Sequence, residues 1–159
     1  MKRGRKLPKV PPEQTKIEAK TTLPKVKFTP WLRWKERDKI PDSNKPGVYA
    51  LAKFSHRPPP GSADPLDKNT IYFGETCRQS LRARWNQFNR SAFKGKAGHA
   101  GGKTYRKKYG DAGLDLYVVA LPVSVQDETL RSSFIRFVER KLILDYVKKW
   151  NNRPKCNLK

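Results

Sequence analysis

Apolar and polar positions alternate from Gly47 to about Phe54, with Val48, Ala50 and Ala52 on one side and Tyr49, Leu51 and Lys53 on the other. A period of two predicts a β-strand. The segment from His56 to Asn69 holds three prolines in a row and a Gly-Ser-Ala-Asp-Pro run, which fit neither a helix nor a central strand and predict a long surface loop. Thr70 to Gly74 is a short β-branched and aromatic run, a second strand, and Ser80 can cap a helix running to about Arg90. Leu81, Trp85 and Phe88 mark that helix's buried stripe. Ser91 to Lys103, rich in Gly and Lys, reads as a mobile basic loop, and Leu114 to Val123 as a buried third strand. Residues 126 to 150 give the clearest helix, with Leu130, Phe134, Phe137, Leu142, Leu144, Val147 and Trp150 as its apolar face, and Pro154 stops it.

The order strand, strand, helix, strand, helix predicts an α+β sandwich with helices packed on a three-stranded sheet. Before it, residues 1 to 45 carry prolines at 8, 11, 12, 24, 30 and 41, frequent Lys and Arg and no sustained apolar period, so they read as a basic arm without a core of its own. Within that arm Trp31-Leu32-Arg33-Trp34 can dock on the domain or stack against bases, and docking is the expected use. The 159 residues therefore divide into an arm, 1 to 45, and one folded domain, 46 to 159.

Charge changes this picture more than size does. Lys and Arg number 36 against 14 Asp and Glu, a formal net charge of +22. The arm holds 14 basic and 5 acidic residues and the domain 22 and 9, so the folded part is basic in its own right. Such a field concentrates polyanions, with nucleic acid first among them. No window approaches the ~18 consecutive apolar residues of a membrane span, and no amphipathic anchor is evident, so a membrane is not the expected partner. Cys77 and Cys156 lie far apart without metal-ligand spacing and the N-terminus lacks the apolar stretch of a signal peptide, so a reduced, cytoplasmic setting is expected.

Cleaving a phosphodiester needs an activated water, cation density at phosphorus and often a metal. Tyr49 on the first strand is a candidate base once nearby cations lower a phenol pKa of about 10, and Lys53 lies four residues on, on the same face. Taken singly, Tyr49 and Tyr72 are ordinary strand tyrosines. In order, however, Gly47-Val48-Tyr49, then Tyr72-Phe73-Gly74-Glu75-Thr76, then Leu81-Arg82-Ala83-Arg84-Trp85 resemble the GIY-YIG nucleases, found among homing endonucleases, repair excision subunits and restriction endonucleases. The resemblance covers about residues 46 to 159.

It implies a three-stranded antiparallel sheet flanked by helices, DNA as substrate, and Arg84 as the catalytic helix arginine, with Arg82 left to touch backbone phosphate. It also implies one metal-binding glutamate in a later apolar helix, which falls on Glu139 within Phe137-Val138-Glu139-Arg140-Lys141-Leu142-Ile143, and a terminal asparagine, Asn157, that positions the site. A lone carboxylate can suffice for Mg²⁺ or Mn²⁺, since Mg²⁺ keeps several waters and takes substrate oxygens. Tyr49 is the expected base, with Tyr72 hydrogen-bonding nearby. Some branches carry a histidine four residues after the arginine; Phe88 stands there, and His99 in the basic loop is the candidate to compensate or to contact phosphate. Lys53, Arg82, Lys103 and Arg106 are the expected backbone contacts.

The reading is thus a Mg²⁺-dependent DNA endonuclease, restriction-type rather than homing because no long linker leads to a recognition domain, acting as a monomer or homodimer on DNA. Two alternatives stay open: a non-catalytic basic module that binds nucleic acid through charge and Trp31, Trp34 and Trp85, or RNA cleavage by the same site.

Overall fold

The computed structural model describes residues 23 to 158. Four antiparallel strands form the sheet: β1 (Leu32–Arg33), β2 (Gly47–Lys53), β3 (Thr70–Thr76) and β4 (Leu116–Pro122), in the order β1-β4-β2-β3. A 3-10 helix, Trp34–Lys39, follows β1; α1 (Leu81–Lys94) and α2 (Ala100–Tyr109) lie between β3 and β4, and α3 (Glu128–Trp150) follows β4. No helix among the described residues is long and apolar enough to cross a membrane.

The two faces of the sheet carry separate cores. Val48, Ala50, Phe73, Val119 and Leu121 meet Phe134, Ile135, Val138 and Leu142 of α3. Tyr49, Leu51, Val118 and Ala120 meet Leu81, Trp85 and Phe88 of α1 and Tyr105 of α2. Because β2 and β4 are central and covered on both sides, six of the seven residues in each are buried, so the alternation in β2 sorts residues between two cores rather than between core and solvent.

Four expectations are corrected. The sheet has four strands, not three: β1 is a two-residue strand, too short for a periodicity, held by pairing of Leu32 with Val118 and Arg33 with Tyr117. The folded unit also begins before residue 46. Phe28, Trp34 and Ile40 are buried, Trp34 Nε1 donates to Asn89 Oδ1 at 2.9 Å, and Trp31 packs edge-on against Phe54 at 5.2 Å. The tryptophans dock, as expected of them; residues 1 to 22 of the arm lie outside the described residues.

The largest departure is at 91 to 103, where α1 continues to Lys94 and α2 begins at Ala100. Gly101 and Gly102 give this segment the composition of a loop, yet they are what lets α2 pack closely. A Cβ at Gly102 would lie 2.8 Å from Ser91 Cβ and 2.9 Å from the Phe88 carbonyl oxygen on α1. On α3 the expected stripe is partly displaced as well: Phe137 and Leu144 are exposed, whereas Ile135, Val138, Glu139 and Tyr146 are buried beside Phe134 and Leu142.

Candidate active site

The pairing register of β2 and β3 sets the site. Tyr49 stands opposite Gly74, and its ring lies over the space a side chain would fill: a Cβ on Gly74 would be 2.5 Å from Tyr49 Cζ and 2.6 Å from Tyr72 Cε1. Gly101 of α2 closes the other side of Tyr72, since a Cβ there would meet its ring at 2.5 Å. Two glycines from distant segments thus form the walls between which the phenols lie, their ring centroids 6.0 Å apart.

His99 is the residue whose position the sequence least foretold. It is not a loop side chain reaching for phosphate but the N-cap of α2, 1 % exposed, with Nε2 2.9 Å from Tyr49 Oη. Its backbone N–H donates to Ser91 Oγ, and its Nδ1 accepts from the Gly102 N–H at 3.1 Å. A backbone amide can only donate, so Nδ1 is unprotonated and the ring proton sits on Nε2. His99 therefore donates to Tyr49. Burial, aided by the nearby charge of Arg84, brings its pKa down to about 3, which keeps the ring neutral and this tautomer fixed. Phe88 packs edge-on against the imidazole at 5.3 Å and helps bury it.

Tyr72 lies beside this pair, its ring edge-on to the imidazole at 5.7 Å. Burial raises the proton affinity of both phenols: Tyr49, with no exposed surface, is raised well above its ordinary value, and Tyr72, half-buried, is pushed up to about 12. Arg84 lowers both. Hydrogen bonds thus point in one direction, from Gly102 through His99 to the oxygen of Tyr49.

Arg84 and Gln79 line a cleft of about 500 Å³ with Glu75, Thr76, Cys77 and Arg78. Arg84 Nη1 donates to Gln87 Oε1 at 2.9 Å, and Gln87 in turn exchanges two amide hydrogen bonds with Gln79, at 3.2 and 3.0 Å. This reciprocal pair, which sequence reasoning missed, holds the guanidinium in place.

Glu139, on α3, is buried, and its charge reaches Tyr72. Burial raises its pKa, Arg140 lowers it and Glu75 raises it again. Its ion pair is with Arg140, at 3.4 Å through one oxygen, and Arg140 is itself exposed. A nearly enclosed carboxylate with so little compensation, next to a second carboxylate, fits a hard divalent cation. Among the described residues no group of three or more His, Cys, Asp or Glu side chains converges, so such a cation would rest mainly on water and substrate oxygens.

The remaining predicted residues lie elsewhere. Asn157 brackets Phe73 on the free edge of β3: its Oδ1 accepts from the Phe73 N–H and its Nδ2 donates to the Phe73 carbonyl, both at 2.8 Å. Between Tyr72 and Gly74, it acts on the site through the backbone. Lys53 shares the sheet face of Tyr49 but is engaged at the far end of β2, 2.6 Å from Asp115 and over the Tyr109 ring at 4.8 Å. Arg82 is exposed near Asp38 at 3.7 Å; Lys103 is exposed on α2, and Arg106 donates to the Ala92 carbonyl at the end of α1.

Comparison with known protein families, with curated proteins and with solved structures found no match to this chain.

Proposed function

We propose that the protein is a Mg²⁺-dependent endonuclease that hydrolyses phosphodiester bonds in DNA, with a site of the GIY-YIG kind. The observation that carries this reading is the packing of Tyr72 against Tyr49 and against the neutral His99 that donates to Tyr49, within reach of the charge of Arg84 and of a poorly compensated Glu139.

A base must touch the water it activates. Tyr49 has no exposed surface, so the reading assigns the contact with water to Tyr72, the half-buried phenol, and gives Tyr49 the supporting place behind it. That division differs from the expectation that Tyr49 itself is the base. As Tyr72 gives its proton to solvent, the positive charge of Arg84 already acts on its oxygen, so the phenolate forms where stabilising charge is fixed beforehand. Water then gives its proton to the Tyr72 oxygen, the hydroxide forms a bond to phosphorus, and the phosphorus–oxygen bond to the leaving alkoxide breaks, that oxygen taking a proton from solvent. Arg84, whose planar fork matches phosphate oxygens, stabilises the charge that accumulates at phosphorus. Glu139 would hold Mg²⁺, which supplies positive charge on the leaving-group side when bound.

The charge distribution agrees with a polyanionic substrate, and the cleft lined by Arg78 and Arg84 is where its phosphate would enter. Cleavage of supercoiled plasmid in Mg²⁺ and in chelator tests the proposal. The parent protein is expected to nick in Mg²⁺, and Glu139→Ala to lose at least about 100-fold in rate, the scale of a lost contact that acts in the transition state. Equal rates for parent and variant would refute the metal assignment.

A further inference from the structure

From Thr76 to Gly110, the segment that builds α1 and α2, the chain has ten basic residues and no acidic one. On α1 the exposed residues Arg82, Asn86, Arg90 and Lys94 recur every four positions, which places them on one ridge that winds gradually around the helix at intervals of about 6 Å. Arg106 extends the row: it donates to the Ala92 carbonyl at 3.3 Å, and its guanidinium lies across Gly95, just past Lys94. Among the described residues Arg90, Lys94 and Arg106 have no carboxylate within salt-bridge distance, and Arg82 has one at the long separation of 3.7 Å. By contrast Arg140, Lys141 and Lys149 of α3 are each ion-paired.

A shallow groove of about 540 Å³ follows this row, lined by Asn86, Gln87, Asn89, Arg90 and Lys94. Its walls offer amides and cations and no exposed aromatic ring, chemistry that fits phosphate and sugar oxygens rather than stacked bases. Gln87 joins the groove to the cleft, because the same side chain bonds Gln79 and Arg84. Cationic and amide side chains thus run from the cleft along α1 to Arg106.

We infer that this row on α1, ending at Arg106, is the track along which the sugar-phosphate backbone of duplex DNA runs away from the cleft. The inference rests on the proposed nuclease reading for its ligand, but it is tested by binding alone. The probe is a labelled duplex of about 30 base pairs, bound in chelator so that no cleavage occurs, over about 50 to 200 mM salt. Arg90→Glu/Lys94→Glu is expected to weaken binding at least tenfold and to make the slope of log affinity against log salt shallower by about 2. Asn86→Lys, which completes the row, is expected to tighten binding and steepen that slope by about 1. Lys148→Glu/Lys149→Glu, an equal charge change at the end of α3, is expected to stay within about threefold of the parent, because a long-range term alone is screened beyond ~10 Å.

Equal weakening by the α3 pair, or unchanged slopes in both α1 variants, overturns the track. If the parent and variants bind as described but no variant or parent nicks plasmid in Mg²⁺, the nuclease reading fails and the track stands. If the parent nicks plasmid while the α1 variants bind like the parent, the track fails and the nuclease reading stands.

Discussion

The two helical layers on this sheet bury apolar surface alike yet differ in charge. The segment that carries α1 and α2 has ten basic residues and no acidic one, whereas α3 has six basic and three acidic. On the first side lie the phenols, His99 and Arg84; the second contributes Glu139 from among ion pairs. The difference has a physical logic. A phenol serves as a base only where its anion is stabilised, and carboxylates beside it would raise its pKa, as Glu139 and Glu75 already do for Tyr72. Excluding acids from the α1 and α2 side leaves Arg84 and fixed dipoles to act on the phenols, and a cation at Glu139 would remove the opposing charge from the other side.

The sharpest way to break this contrast is to delete the two hydroxyls separately. Tyr72→Phe is expected to lower Mg²⁺-dependent cleavage by about 1000-fold or more, and Tyr49→Phe by about 100-fold, since the first removes the base and the second the hydroxyl that holds His99 behind it. Single-turnover rates measure both; a larger loss for Tyr49→Phe would exchange their roles.

His99 sharpens the contrast through stability. Its folded pKa, about 3, lies below the unfolded value near 6.5, so the unfolded chain binds the proton more readily. The resulting stabilisation is fully present above pH 6.5 and declines as pH falls toward 3, at up to about 1.4 kcal/mol per pH unit. Denaturant unfolding of the parent and of His99→Gln should show a stability difference that shrinks across this window. A difference independent of pH would mean that His99 is not the buried neutral donor described. The smallest effect belongs to the sheet edge that both layers share. Asn157→Ala should cost about 1 to 2 kcal/mol by leaving the Phe73 N–H and carbonyl to water, with a modest loss of rate.

Much of the central architecture was legible because its signals were strong: the alternation at Gly47 to Phe54, the Ser80 cap, whose hydroxyl accepts from the Ala83 N–H, and the long apolar α3. What was not legible depended on contacts distant in sequence. Gly101 and Gly102 look like loop residues until Tyr72 and Ser91 are seen against them, and β1 exists only because β4 offers an edge. His99 gave one local hint, a polar residue three positions before an amide at a helix start, but histidine is an unusual cap and its use of Tyr49 is a long-range event. Phe88 reads as a missing histidine in the sequence; in three dimensions it is a wall of the pocket that holds one. Lys53 shows the opposite failure, since facing the same side as Tyr49 did not bring it to the same end of the strand.

The account's central claim is that a phenol, packed against a neutral histidine and within reach of an arginine's charge, takes the proton from water. It is tested most directly by the rate of Mg²⁺-dependent plasmid nicking under single-turnover conditions from about pH 6.5 to 9.5. The log of the rate should rise by about one per pH unit through that range, because Tyr72 is protonated throughout in the free protein. A flat profile, or no nicking in Mg²⁺ at any pH, would contradict it.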